Sequence, residues 1–243
     1  MKLRLSETPV QSVLAIFLAM IAGYLDGYGF LFLGVYVSFM SGNTTMTGLR
    51  SGQDNFHAAL PSAIAVLSFV TGSFLGNVFS QSKSRYSHRL IFGAIAGLLV
   101  TVAGLEWHGP RSVLSEIAML SLAMGMMNPA LSKIGAEPVS LTFMTGTLSR
   151  IGDHLASAAR RKPLPEGPGP RDTYLARARL DASIWSGFLV GAGLSGMAHL
   201  HFRLWALLPP CVVMIALGSF SECATTSTEK RIRSSISARR STA

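Results

Sequence analysis

Val37-Ser38-Phe39-Met40-Ser41-Gly42-Asn43 is answered, further along the chain, by Leu141-Thr142-Phe143-Met144-Thr145-Gly146-Thr147. The shared pattern is hydroxyl, Phe, Met, hydroxyl, Gly, then a small polar residue. Each copy closes a long apolar run and is polar where such a run is expected to stay apolar. Working outward from the two copies gives three apolar stretches per half. An odd number of crossings between them places the second copy upside down relative to the first, an arrangement common among secondary transporters.

The composition fits a bilayer. Of 243 residues, 49% are hydrophobic and 14% are charged, against about a quarter charged in soluble domains. The net charge of +9 sits in a few short segments. Lipid headgroups are therefore the acidic partner expected, and nucleic acid is not, since no basic stripe with aromatic base-stacking residues is present. Cys211 and Cys223 have no CxxC or His spacing beside them, so neither a metal nor a disulfide framework is expected. The first run is preceded by Lys2 and Arg4 but continues to Phe39, too long for a signal-peptide core of about 7–15 residues.

Six stretches reach the length of about 20 residues that a spanning helix needs: roughly 11–36, 57–79, 90–106, 113–132, 182–200 and 203–221. The fourth resumes after a break and ends near 148. Lys and Arg alternate in number between successive connections. Seventeen lie on one side (Lys2 and Arg4; Lys83, Arg85 and Arg89; seven between Arg150 and Arg179; five in the tail), against Arg50, Arg111 and Arg203 on the other. By the positive-inside rule both termini are expected in the cytoplasm.

The fold class expected is an all-α integral membrane protein with six transmembrane helices in one domain. Helices 1 and 4 are interrupted, and the halves form a 3+3 inverted repeat of 11–106 and 113–221. The run from Pro163 to Pro170, rich in Pro and Gly, cannot continue a regular helix and marks a cytoplasmic linker over 160–180. A disordered basic tail is expected over 225–243. Two further matches extend the repeat: Thr71–Gly76 with Ser186–Gly191, and Gly23–Gly27 with Gly125–Pro129, which sets Asp26 opposite Asn128. The pairs Gly72/Gly76, Gly187/Gly191 and Gly93/Gly97 are expected to bring helix backbones together.

Asp26 lies about midway along the first run, where a bare carboxylate costs at least roughly 2.5–3.5 kcal/mol. Gly23, Gly27 and Gly29 surround it, so a break there would set free backbone groups beside a carboxylate. Asn128-Pro129 must break the fourth helix, because Pro129 has no amide. The candidates for binding a solute or ion are therefore Asp26, Asn128 and the small polar groups Ser41, Gly42, Asn43, Thr44, Thr145, Gly146 and Thr147. The alternative is structural: Asp26 pairs with a neighbour, and the hydroxyls cap helix ends. Lys133 and Glu137, at i,i+4 spacing, form a candidate charge pair. No HExxH, GxSxG or Walker pattern occurs, so no enzyme activity, cofactor or metal is expected.

Gly23-Tyr24-Leu25-Asp26, Val37 to Thr44, Gly125-Met126-Met127-Asn128 and Phe143 to Leu148 resemble the YoaK-like family of bacterial membrane proteins, catalogued as a domain of unknown function (1275). The resemblance covers roughly 12–222. It implies a small six-helix protein of the bacterial inner membrane and supplies no substrate. Met127 and Pro129 depart from the pattern expected around the Asn of the third motif.

The function expected from the residues is a small-solute transporter or permease, ion- or proton-coupled through Asp26. The alternative is a non-transport membrane scaffold or subunit of a membrane complex. The partners expected are the lipid bilayer, an unidentified small solute or ion, and a second copy of the chain in a homo-oligomer; on the scaffold alternative, partner subunits pack on the glycine faces.

Overall fold

The computed structural model describes residues 8–81, 87–108, 112–131, 133–134, 137–138, 142–163, 173–202 and 205–216. Helix α1 (Thr8–Tyr28) runs without interruption into a π-helical turn, Gly29–Leu33. Next come α2 (Met40–Gly52), α3 (Phe56–Gln81), α4 (Ser87–His108) and α5 (Val113–Met127). A 3₁₀ turn, Asn128–Leu131, follows α5. It leads into a hairpin of two short strands, β1 (Lys133–Ile134) and β2 (Glu137–Pro138), then α6 (Met144–Ala159) and α7 (Tyr174–Phe202). Residues 208–216 are again helical. Apart from the hairpin, the described residues form helices, turns and short connections. The tail over 225–243 and Cys223 lie outside them.

Two helices, Gln11–Leu33 and Phe56–Gln81, are long and apolar enough to cross a membrane; Leu90–Leu105 and Val113–Met127 are shorter apolar helices. Leu67, Val70, Phe74 and Val78 along α3 are exposed, with Leu67 at 68%. An outward apolar stripe of that length is a liability in water and the favoured state in lipid.

The helices are joined in two backbone-close pairs, α1 with α7 and α3 with α5. A Cβ on Gly23 would come 2.0 Å from the Phe188 carbonyl oxygen, and one on Gly191 1.8 Å from that of Met20. In the other pair, a Cβ on Gly125 would lie 2.1 Å from the Phe69 oxygen and one on Gly72 2.1 Å from that of Leu122. Only glycine permits these approaches, and in lipid such close contact is a main source of helix association. Around the pairs, α2 packs on α3, α6 on α7 and α4 on α5. Leu18, Leu25, Ile95, Leu99, Leu120 and Met124 form much of the core. The Tyr24 hydroxyl donates to the Ala206 carbonyl, tying the last helical segment to α1.

Several sequence expectations are corrected. Gly23 and Gly27 do not break α1 at Asp26. They face α7, with Gly27 against Ser195, and the interruption falls later, at the π turn. There Gly34, at φ 71°, accepts the left-handed conformation that closes the helix. Lys133 and Glu137 do not share a helical face. Their backbones lie on opposed strands in the register Lys133 to Pro138 and Ile134 to Glu137, because Pro129 has already ended the helix; the side-chain pairing itself lies outside what is described. The linker is shorter than 160–180, since α7 begins at Tyr174 and carries Arg177 and Arg179. Gly93 and Gly97 meet nothing within 4 Å, so unlike the other glycine pairs they do not join helices within the described chain.

Helices α2 and α6 were the elements least visible in the sequence. The stretch from Met40 to Gly52 is rich in Ser, Thr and Gly, residues of modest to low helix propensity with no continuous apolar stripe. The hydroxyls nevertheless turn inward along the helix. Thr44, Thr45 and Thr47 donate to the carbonyls of Met40, Ser41 and Asn43 at 2.8, 3.0 and 2.9 Å. That serves the hydroxyls within their own helix.

Candidate functional site

Both copies of the repeated motif build the same local unit. Phe39 and Phe143 occupy the positions before α2 and α6, with φ, ψ of −83°, 73° and −91°, 70°, and neither makes a side-chain cap. Their carbonyls accept the amides of Asn43 (3.2 Å) and Thr147 (3.1 Å). Each ring folds over the glycine three residues on. A Cβ would come within 2.5 Å of the Phe39 ring at Gly42, and within 2.2 Å of the Phe143 ring at Gly146. The glycines of the motif are therefore seats for an aromatic ring. Ser41, Thr44 and Thr145 are exposed on the first turns of the short helices.

In front of each unit stands a polar pair, buried in the first case and half-buried in the second. Asp26 is only 4% exposed. Its Oδ1 accepts the Ser38 amide at 2.6 Å and its Oδ2 the Ser38 hydroxyl at 2.7 Å. A buried carboxylate needs such partners to offset its lost hydration. After α5, the Asn128 amide nitrogen donates to Thr142 Oγ1 at 2.9 Å, and Asn128 Oδ1 lies 3.2 Å from the same oxygen. The first break thus holds a carboxylate and the second a neutral amide, each tied to the hydroxyl residue just before the Phe.

Asn43 and Thr147, at matching places in the motif, are both buried, at 2% and 0% exposure. Asn43 donates to the Tyr36 carbonyl at 2.6 Å, so it closes the loop between the π turn and α2. Thr147 donates to the Phe143 carbonyl at 3.2 Å and accepts from Arg150 Nη2 at 3.1 Å. Through Arg150 it joins a cluster that the sequence reading missed. Arg150 holds Asp181 of α7 through two contacts, Nη2 to Oδ1 at 3.2 Å and Nε to Oδ2 at 3.3 Å. His154 Nε2 lies 3.7 Å from Asp181 Oδ2, and the Tyr174 ring lies beside His154. Arg150 and His154 are spaced i,i+4, a signal that becomes readable only once 144–159 is known to be a helix. With that helix taken to end near 148, Arg150 reads as a loop charge.

The candidate residues therefore fall into distinct groups. Asp26 is with Ser38, Asn128 with Thr142, Asn43 with the Tyr36 carbonyl, and Thr147 with Arg150 and Asp181. Chemically, Asp26 is a buried acceptor already surrounded by donors. A cation or proton binding there would have to displace or share the hydrogen bonds of Ser38.

Comparison with known proteins points to the membrane and names no activity. The sequence pattern of the family described as "Protein of unknown function (DUF1275)" matches residues 14–220. The chain is 34% identical over 153 residues to the UPF0700 transmembrane protein RA0705 of Rhizobium meliloti (strain 1021), covering 62% of this chain and 63% of that relative's length. It is 26% identical over 199 residues to the UPF0700 transmembrane protein YoaK of Bacillus subtilis (strain 168), covering 77% of this chain and 85% of that relative. No solved structure matches the chain. On the family match over most of its length, joined to its apolar helices and its transmembrane relatives, this chain is a membrane protein belonging to the DUF1275 family.

Proposed function

We propose that the protein is a small-solute transporter or permease of the bacterial inner membrane, built as a 3+3 inverted repeat with both termini in the cytoplasm. The observation that carries this reading is the recurrence of one unit at two helix breaks. Each unit has a polar pair, Asp26–Ser38 or Asn128–Thr142, and then a Phe-capped short helix with a glycine under the ring. Broken helices whose free backbone groups surround a buried polar side chain are the usual construction of a solute or ion site within a bilayer.

The helix pairing supports the repeat in detail. Gly23 touches the Phe188 oxygen as Gly125 touches that of Phe69, and Gly191 touches Met20 as Gly72 touches Leu122. On this reading Gly72 corresponds to Gly191. Spelling alone pairs it with Gly187, one helical turn earlier, and the contacts favour the shifted alignment. The charge difference between Asp26 and Asn128 makes the first half the coupled one, with Asp26 as the coupling group.

The test is flux in proteoliposomes. Solutes and ions that raise the thermal midpoint of the purified protein are tried first. Asp26→Asn is expected to abolish coupled movement while leaving the protein folded, and undiminished coupled transport by Asp26→Asn removes Asp26 from the mechanism. The alternative, a non-transport scaffold, draws on one observation: a Cβ at Gly93 or Gly97 of α4 would meet nothing within 4 Å. It expects a stable complex on gentle extraction and no flux.

A further inference from the structure

The short helices α2 and α6 are attached differently from α1, α3, α5 and α7. The pairs α1–α7 and α3–α5 are fixed backbone to backbone through Gly23, Gly191, Gly72 and Gly125. By contrast, α2 rests on α3 and α6 on α7 through side chains, and both expose apolar residues: Leu49 at 56%, Leu148 at 48% and Leu155 at 49%.

Their polar attachments are unequal. Between α2 and α3, Thr47 Oγ1 and Ser62 Oγ lie 2.9 Å apart. Both hydroxyls also lie within hydrogen-bonding distance of carbonyls of their own helices, Asn43 at 2.9 Å and Ala59 at 3.0 Å. A neutral contact between groups already served along the helix adds little when made and costs little when broken. Between α6 and α7 the contact is ionic and forked: Arg150 Nη2 and Nε to the two oxygens of Asp181, with His154 Nε2 3.7 Å from Oδ2. Asp181 is 5% exposed. Taking away one partner of such a pair leaves a buried charge uncompensated, so it breaks reluctantly.

We propose that the Arg150–Asp181 pair is a latch that holds α6 closed on α7, and that the weaker Thr47–Ser62 contact leaves α2 the readier of the two half-helices to open. The latch would bias an alternating protein toward the state in which the second half is shut. Its role as a gate rests on the transporter reading above; its effect on the motion of α6 does not.

Hydrogen exchange on the full chain in lipid nanodiscs reads this without a solute. In the wild type, amides of 40–52 are expected to exchange faster than those of 144–159. Asp181→Asn and, independently, Arg150→Gln are expected to speed exchange of 144–159 by about tenfold, leaving α1, α3 and α5 unchanged. Asp181→Glu, which keeps the charge, is expected to stay close to wild type. Unchanged exchange of α6 in both neutralised variants, or α2 as protected as α6 in the wild type, overturns the latch. General loosening in Asp181→Asn passes the decision to Arg150→Gln, whose own selective loosening of α6 sustains the proposal and whose lack of it ends it. A latch that opens as expected in a protein that moves no solute leaves this inference standing and the transporter reading refuted.

Discussion

Ser38 gives both of its donors to Asp26: the amide to Oδ1 at 2.6 Å and the hydroxyl to Oδ2 at 2.7 Å. The residues between them contain the π turn and the left-handed Gly34, so the two hydrogen bonds fold the chain back onto the end of α1. The carboxylate is therefore part of the loop's architecture whatever else it does.

Removing the hydroxyl alone is a clean probe of that architecture. Ser38→Ala keeps the amide contact and loses a hydrogen bond to a charged group, worth about 1.5–3 kcal/mol when buried. The thermal midpoint in detergent is expected to fall clearly, and Ser38→Thr is expected to restore part of it. A midpoint unmoved by Ser38→Ala contradicts the clamp.

The second break predicts a different response. Asn128 lies within hydrogen-bonding distance of Thr142 through both amide atoms, so Asn128→Asp loses the donor and adds a charge. A cost of about 1–3 kcal/mol is expected, larger than that of Thr142→Ser, which keeps the hydroxyl. Equal midpoints for the two variants argue that Asn128 and Thr142 are not paired in the protein.

Glycines separate into two classes that a single substitution tells apart. Ala at Gly23, Gly125 or Gly191 drives a methyl to about 2 Å from a neighbouring carbonyl oxygen. Helices must then part, and a loss of about 1–3 kcal/mol or more is expected. Ala at Gly93 or Gly97 meets nothing within 4 Å and is expected to be neutral or to stabilise by up to about 1 kcal/mol through helix propensity. Thermal unfolding of the five variants gives the ranking, and a reversed order refutes the helix pairing. If α4 instead self-associates through these glycines, the Gly93 and Gly97 variants will shift the oligomeric state seen by light scattering.

The proposed orientation has its own measurement. With the native cysteines replaced, Arg50→Cys is expected to react with an impermeant thiol reagent from outside intact cells, and Arg171→Cys only after permeabilisation. Labelling of both from the same side refutes the inside-out relation of the halves.

Some of this was legible in the chain itself. Hydropathy and the scarcity of charge determined a helical membrane protein, because an unsatisfied backbone in lipid leaves few alternatives to helices. Pro129 located the second helix break, whereas the first falls at the π turn and not at Asp26, where the glycines had pointed. Sequence also singled out Asp26, since a carboxylate within an apolar run is conspicuous on cost alone.

Tertiary structure decided what those residues touch. Glycines around Asp26 looked like a broken helix and are contact points with α7, because the same lack of a side chain that weakens a helix also lets another backbone approach. Helix α2 carried too few apolar residues to announce it, and α6, whose Met144, Leu148, Ile151 and Leu155 recur at helical spacing, was too polar overall to read as a span. The Arg150–Asp181 pair joins residues on separate helices, and no local spacing encodes that distance. Local chemistry along the chain therefore determined the environment and the places of rupture, while packing between distant helices determined which partner satisfies each buried polar group.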